Sequence, residues 1–263
     1  MSVVHPNAKL GTGVSVGPFT YIEDDVEIGE GTVIHNNVTI YAGSRIGKNV
    51  RIFPGAVIGA IPQDLKFAGE YTTATIGDNT TIREHVTINR GTKAANTTRV
   101  GANCLLMAYA HVAHDCLLGD NIIIANNVNL AGHVELEDWV IIEGQVGVQQ
   151  FVRIGRHSFI AGGSLVRKSV PPYIRAAREP LSYIGVNRIG LQRRGYSIET
   201  INAIHEIYRI LFVKGLNITN AVTEIEASVP VSNERDEVIR FISNTERTGI
   251  IRSFQALQDV GSV

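Results

Sequence analysis

The segment AHVAHDC, residues Ala110–Cys116, puts His111, His114 and Asp115 close together in the chain. A neutral imidazole, with an ordinary pKa of about 6.5, suits the removal of a proton from an alcohol near neutral pH. An adjacent carboxylate orients that imidazole or raises its basicity, so His114 with Asp115 is a candidate general base pair. Further along, Gly132 and His133 follow in AGHV, with Asn129 and Gln150 nearby. A glycine amide such as that of Gly132 would supply an oxyanion donor. The three imidazoles would also suit zinc, but His111 and His114 lie on opposite sides of Val112 and would have to converge within about 2.1 Å of one ion. Zinc stays the minority reading, and no metal or cofactor is expected. His5, His35, His85, His157 and His205 lack such company and read as structural or solvated.

These residues share a site only if the chain returns to the same place every 18 residues, and a second pattern says that it does. Stepping six residues at a time from Val4 to Val166, Leu, Ile or Val stands at 25 of 28 positions, missing only at Asp64, Glu70 and Ala94. Neither a strand, with its period of two, nor a helix of period 3.6 explains that beat. Three hexads make one triangular coil, and stacked coils form a parallel β-helix filled by ladders of aliphatic side chains, with a small or β-branched inward residue four places after each aliphatic. Prisms of this type resemble the left-handed β-helix; the handedness comes from that resemblance. Glycine after the aliphatic (Gly11, Gly29, Gly77, Gly101, Gly119) suits tight corners where a Cβ would crowd the turn. Adding 18 places Gly132 beside His114, His133 beside Asp115, Asn129 beside His111 and Gln150 beside Gly132.

The beat breaks twice and resumes in phase, which predicts loops over 59–75 and 89–99 on a prism spanning 1–170. Loops on a rigid solenoid are where binding groups gather. Pro171-Pro172 ends the repeat, and residues 171–263 read as a connector followed by a helical domain. Ser197 caps an amphipathic helix of roughly 17 residues, and further helical patterns begin near Thr219, Ser232 and Thr245. The helical part would cap one end of the prism, because an open solenoid leaves edges that must be covered. Hexapeptide prisms typically trimerise about an axis parallel to their own, so a homotrimer with sites in clefts between subunits is expected from resemblance.

Lys and Arg number 24 against 25 Asp and Glu, which gives no overall field for nucleic acid or a membrane surface. The stretch Arg167–Arg194 is different, with seven basic residues against Glu179 alone, and it would attract an acidic partner. Cys104 and Cys116 fall at inward positions and read as reduced core residues. With no signal peptide and no apolar run of membrane-spanning length, a cytoplasmic protein is expected.

The segments IGAIPQDLKFAGE, TIREHVTINRGT, LLMAYAHVAHDCLLGD, ANNVNLAGHV and GVNRIGLQRRG together resemble the acyl carrier protein dependent UDP-N-acetylglucosamine O-acyltransferases of lipid A synthesis. The likeness covers nearly the whole chain. It implies transfer of an (R)-3-hydroxyacyl group from the carrier protein's thioester to the glucosamine 3-hydroxyl of the UDP-sugar. In that reaction His114 would be the base, Asp115 its partner and Gly132 the oxyanion donor. Gln63, Asp64, Lys66, His111, His133 and Gln150 would bind sugar and acyl groups, and Asn187, Arg193 and Arg194 would hold the nucleotide end. Gly162 and Gly163 would border the acyl groove, and the acidic carrier protein would dock on the basic Arg167–Arg194 region. Gln149 and Asn89 stand where familiar members carry histidine, and Ile189 where some carry glutamate. These departures bear on substrate recognition, including a 3-amino in place of a 3-hydroxyl acceptor. Two other readings stay open on sequence: a related hexapeptide acyltransferase acting on another nucleotide sugar or using acyl-CoA, and a non-catalytic hexapeptide scaffold.

Overall fold

The computed structural model describes residues 1–245 and 247–253. The prism is a left-handed parallel β-helix built mostly from two-residue strands in three sheets of nine, eight and eight strands, the third of which gains three more strands beyond the prism. Each strand hydrogen-bonds to the strand one coil above and below, as in the first-sheet register His111 to Asn129 to Gly147 to Leu165. The aliphatics of that sheet, Ile58, Ile88, Val112, Leu130, Val148 and Val166, form one ladder with no exposed surface beyond 3 %. Cys104 and Cys116 sit in the same core as free thiols, and burial raises both, Cys104 to about 11 and Cys116 to about 12.

The glycine after the aliphatic is required by its neighbour coil more than by its own turn. A Cβ on Gly77 would lie 2.5 Å from backbone atoms of Gly101 and Ala102. The left-handed residue comes two places later and is often Asn, as at Asn49, Asn79, Asn103 and Asn121. Asp115, His133 and Phe151 occupy that same left-handed place in three successive coils, with φ of 60°, 61° and 68°.

Both insertions keep the register. Val57 pairs with Thr87, 30 residues on, and Thr75 with Arg99, 24 on. The strands flanking the excursions lengthen, at Val57–Ala60, Thr73–Ile76 and Thr97–Val100, so only about residues 61–72 and 90–96 leave the prism. The two excursions hold each other: Glu70 accepts from the Lys93 amide at 3.1 Å, Arg90 lies over the Phe67 ring, and Asn89 donates to the Ile61 carbonyl.

Beyond Pro171-Pro172 the connector is a β-hairpin. Ile174–Ala177 adds to the third sheet and Ser182–Val186 returns antiparallel to it. The helices follow: α1 (Arg188–Arg193), α2 (Ile198–Phe212), α3 (Ile218–Ser228) and α4 (Asn233–Ser243). Ser197 caps α2, which has 15 residues, and Ser232 caps α4. The helix expected from Thr245 does not form over 247–253. Gly249 takes φ +62°, Ile250 bridges to Ser169, and Arg252–Ser253 pairs with Ser182–Tyr183; an unpaired sheet edge wins over a weak helical pattern. Residues 254–263 of that expected helix lie outside the described residues.

The cap meets the prism through an aromatic stack, exposed Trp139 on buried His157 on buried Tyr173, with Tyr196 edge-on to His157. Burial, then Arg194 and Arg156, push His157 down to about 4, and its Nδ1 has no partner among the described residues. His157 is thus neutral in the fold and gains a proton on unfolding below its ordinary 6.5. The stability this removes grows as pH falls from 6.5 towards 4, to on the order of 3 kcal/mol. Thermal unfolding followed across that window should show a shallower pH dependence in His157→Phe than in the wild type. Gly77→Ala should lower stability by about 2–3 kcal/mol in denaturant unfolding, since the rigid backbone facing it cannot yield; an unchanged midpoint would show that the coils can separate locally.

Candidate active site

A cleft of about 890 Å³ runs along the first sheet from the first excursion towards the cap. Gln63, Asp64, Leu65 and Lys66 wall one end, and His111, His114, Gly132, Gln149, Gln150 and Arg167 are among the residues lining the rest. The two-residue strands explain the grouping. In His111–Val112 and Asn129–Leu130 the second residue fills the core and the first faces the cleft. Asp64 accepts from the Lys66 amide at 3.0 Å, a turn that holds its carboxylate in the loop.

His114 is mostly buried, with its side chain 8 % exposed, yet it borders the cleft. Its Nδ1 lies 2.8 Å from Asp115 Oδ2. An ionised carboxylate only accepts, so Nδ1 carries the proton and Nε2 the lone pair. The Asp115 side chain is fully buried behind the imidazole. Burial alone would raise its pKa, but hydrogen bonds from His114 and Thr92 outweigh that and hold it below the usual value. His133 stands with Nε2 3.6 Å from Asp115 Oδ2, its ring edge-on to His114 and stacked on Phe151. Arg247 covers Phe151 at 3.2 Å. Burial lowers the pKa of His133, against the pull of Asp115. Burial also lowers that of His111, whose Nδ1 bonds Thr87 Oγ1 at 2.7 Å.

Ligating atoms of His114, Asp115 and His133 lie within 4.8 Å of one another. Asp115 Oδ2 already receives His114 Nδ1 and Thr92 Oγ1, so an ion there would have to displace both. His111 is outside that cluster. The arrangement is that of a hydrogen-bonded base pair.

Gly132 abuts the imidazole: a Cβ there would meet His114 Nε2 at 2.7 Å. Its amide occupies the second place after the aliphatic. At Ala42, Lys48, Ala102, Asp120, Arg156 and Gly162, the same place in other hexads, a carboxylate oxygen accepts that amide at 2.7–3.0 Å. Gly132, like Gly144 and Gln150 at the same place, has no such acceptor among the described residues, but its open amide stands beside the His114 imidazole, so an anionic oxygen could be received there next to a basic nitrogen.

Several expected residues lie elsewhere in this single chain. Asn187 is buried as the N-cap of α1 and donates to the His157 carbonyl. Arg193 is exposed at the end of that helix, and Arg194 stacks over Trp139. Gly162 and Gly163 form the corner before Leu165–Val166, with the Gly162 amide taken by Glu143. None of these five lines the cleft. Ile189 is exposed on α1, Asn89 anchors the first excursion, and Gln149 does face the cleft. Sequence reasoning missed Leu65, Arg167 and Leu165 as lining residues, and also Thr98, which stands at a regular inward place on Thr97–Val100, and Thr92, whose place at Asp115 depends on loop closure that no periodicity records.

Residues 170–251 match the family model described as UDP N-acetylglucosamine O-acyltransferase, domain 2, and residues 25–60 and 97–132 match that for bacterial transferase hexapeptide repeats. The acyl-[acyl-carrier-protein]--UDP-N-acetylglucosamine O-acyltransferase of Herminiimonas arsenicoxydans is 46% identical over 256 residues, covering 95% of this chain and 97% of that protein. The chain belongs to this acyltransferase family. The crystal structure of a UDP-N-acetylglucosamine acyltransferase from Bacteroides fragilis superposes with a TM-score of 0.93 at 51% identity, over 95% of this chain and 98% of the other. The Acinetobacter baumannii structure gives 0.92 at 40% identity, over 95% and 98%. In an acyltransferase of this family the contact between Gly132 and His114 should be functional. Gly132→Ala is expected to slow acyl transfer about 10²-fold by displacing the imidazole, with the melting temperature little changed. An unaltered rate would show that the ring tolerates the methyl group.

Proposed function

We propose that the protein moves a 3-hydroxyacyl chain from the thioester of acyl carrier protein to the 3-hydroxyl of UDP-N-acetylglucosamine, the first step of lipid A synthesis, with His114 as general base. The observation that carries this reading is the pairing of the His114 Nε2 lone pair with the unfilled Gly132 amide on one wall of the cleft. Nε2 takes the proton of the sugar hydroxyl as its oxygen attacks the thioester carbonyl. The Gly132 N–H receives the carbonyl oxygen as it becomes negative, in the geometry by which its counterparts hold carboxylates. Asp115, already ionised and fully hydrogen-bonded, stabilises the imidazolium without taking its proton. Collapse of the tetrahedral adduct expels the carrier's thiolate, which the imidazolium protonates. No covalent acyl-enzyme is needed.

Supporting residues follow the cleft. Gln63, Asp64, Lys66, His111 and Gln150 line the cleft with the base, His133 stands edge-on to it outside that lining, and all six suit the sugar and acyl hydroxyls. The corner at Gly162 and Gly163 leads from Leu165 towards the acyl end. Arg167, Lys168, Arg175, Arg178, Arg188 and Arg193 are exposed, which suits docking of an acidic carrier protein. Asn187, Arg193 and Arg194 lie outside this chain's own cleft. Their role at the nucleotide end therefore requires a second copy, as in a homotrimer of parallel prisms; the fully exposed Leu65 at the cleft wall suits such a contact. Among the described residues no helix is long and apolar enough to cross a membrane.

His114→Ala should lower transfer by about 10²–10⁴-fold without loss of folding or assembly. Wild-type enzyme should consume carrier-protein thioester, and not acyl-CoA, when UDP-N-acetylglucosamine is present. Near wild-type transfer by His114→Ala would overturn the base assignment, and equal use of acyl-CoA would favour the related hexapeptide acyltransferase.

A further inference from the structure

We infer that Thr92, on the second excursion, is a positioning residue for the base pair: its hydroxyl and amide clamp the Asp115 carboxylate so that Oδ2 is held against His114 Nδ1. The inference rests on His114 being the base.

The bonds to Asp115 define the clamp. Oδ1 accepts from Thr92 N at 2.8 Å and Ala95 N at 3.3 Å, and Oδ2 from Thr92 Oγ1 at 2.7 Å and His114 Nδ1 at 2.8 Å. The direction of the Thr92 hydroxyl is fixed, because Oγ1 itself accepts from Ala94 N at 3.2 Å and so turns its hydrogen to Asp115. From the other side Thr98 Oγ1 receives the Asp115 amide at 2.8 Å. Thr92 is 6 % exposed, so water does not replace these donors.

The excursion is shaped for this contact. A Cβ on Gly91 would lie 2.5 Å from Thr97 N, so glycine lets the chain turn back on itself just before Thr92. Glu70 of the first excursion holds the next amide, that of Lys93. The second excursion thus has a task at the site although none of its residues is among those lining the cleft. The titratable groups facing the carboxylate are His114 and His133, and Asp64 and Arg247 act on His133 from further away. With one donor fewer, the carboxylate holds more charge against the imidazole, which favours the protonated and inactive base.

Steady-state kinetics of Thr92→Val, Thr92→Ser and His114→Ala, measured across pH with carrier-protein donor, test the assignment. In Thr92→Val kcat should fall about 10-fold at neutral pH, with KM for both substrates unchanged and the acid limb of the kcat profile displaced to higher pH. Thr92→Ser should restore both. A wild-type profile in Thr92→Val, a loss appearing in KM with the acid limb unmoved, or a loss that serine does not restore would overturn the inference. His114→Ala separates the two readings: if it is inactive while Thr92→Val behaves as wild type, only the clamp fails, and if it is active, the base assignment itself fails.

Discussion

Parallel coils can stack only if each strand meets its equivalent in the next turn, and in this chain that fixes residue i beside residue i+18 over most of the prism. Every two-residue strand depends on the coil above for its hydrogen bonds, so a slip of one residue would turn the aliphatic ladder outward and leave polar residues in the core. The same condition builds the site. His111 is held beside Asn129 by the pairing that holds Val112 on Leu130, and the His133 amide donates to the His114 carbonyl. The side chains on the prism are therefore spaced by the backbone ladder itself.

Excursions are compatible with such a stack only when they restore the phase, and both of these do, lengthening one coil by 12 residues and the next by six relative to the usual 18. Their positions matter as much as their lengths. The first supplies Gln63–Lys66 to the cleft wall, and the second closes over the carboxylate that the prism alone would leave partly solvated. Placed on successive coils, they brace each other through Glu70, Asn89 and Arg90. Loops that would otherwise sample many conformations are thereby ordered at the one edge where chemistry is concentrated.

How much of this was legible in the sequence follows from which features share the period. The hexads gave the prism, the inward cysteines and, by adding 18, the grouping of His114 with Gly132 and of Asp115 with His133. Thr92 was invisible because it lies where the beat is suspended. The hairpin after Pro171-Pro172 was hidden by its prolines, which read as an end although Ile174 and Ala176 continue the inward alternation. The pattern at Thr245 suggested a helix, but an open sheet edge and Gly249 decided otherwise. Asn187, Arg193 and Arg194 came from resemblance alone, and one chain's geometry places them with the cap, away from the base.

The site turns on what stands beside one outward amide of the prism. Outward amides at the second place after the aliphatic are repeatedly quenched by a carboxylate from another hexad, as Asp120 quenches Ala102 and Asp138 quenches Asp120. At Gly132 the amide is left open against the His114 imidazole, and the carboxylate beside that imidazole, Asp115, is saturated by the second excursion and His114. With that carboxylate committed to the imidazole, an acceptor for a proton and a donor for a negative oxygen stand side by side. Glycine at 132 is needed for the same reason, since a side chain there would stand between the two.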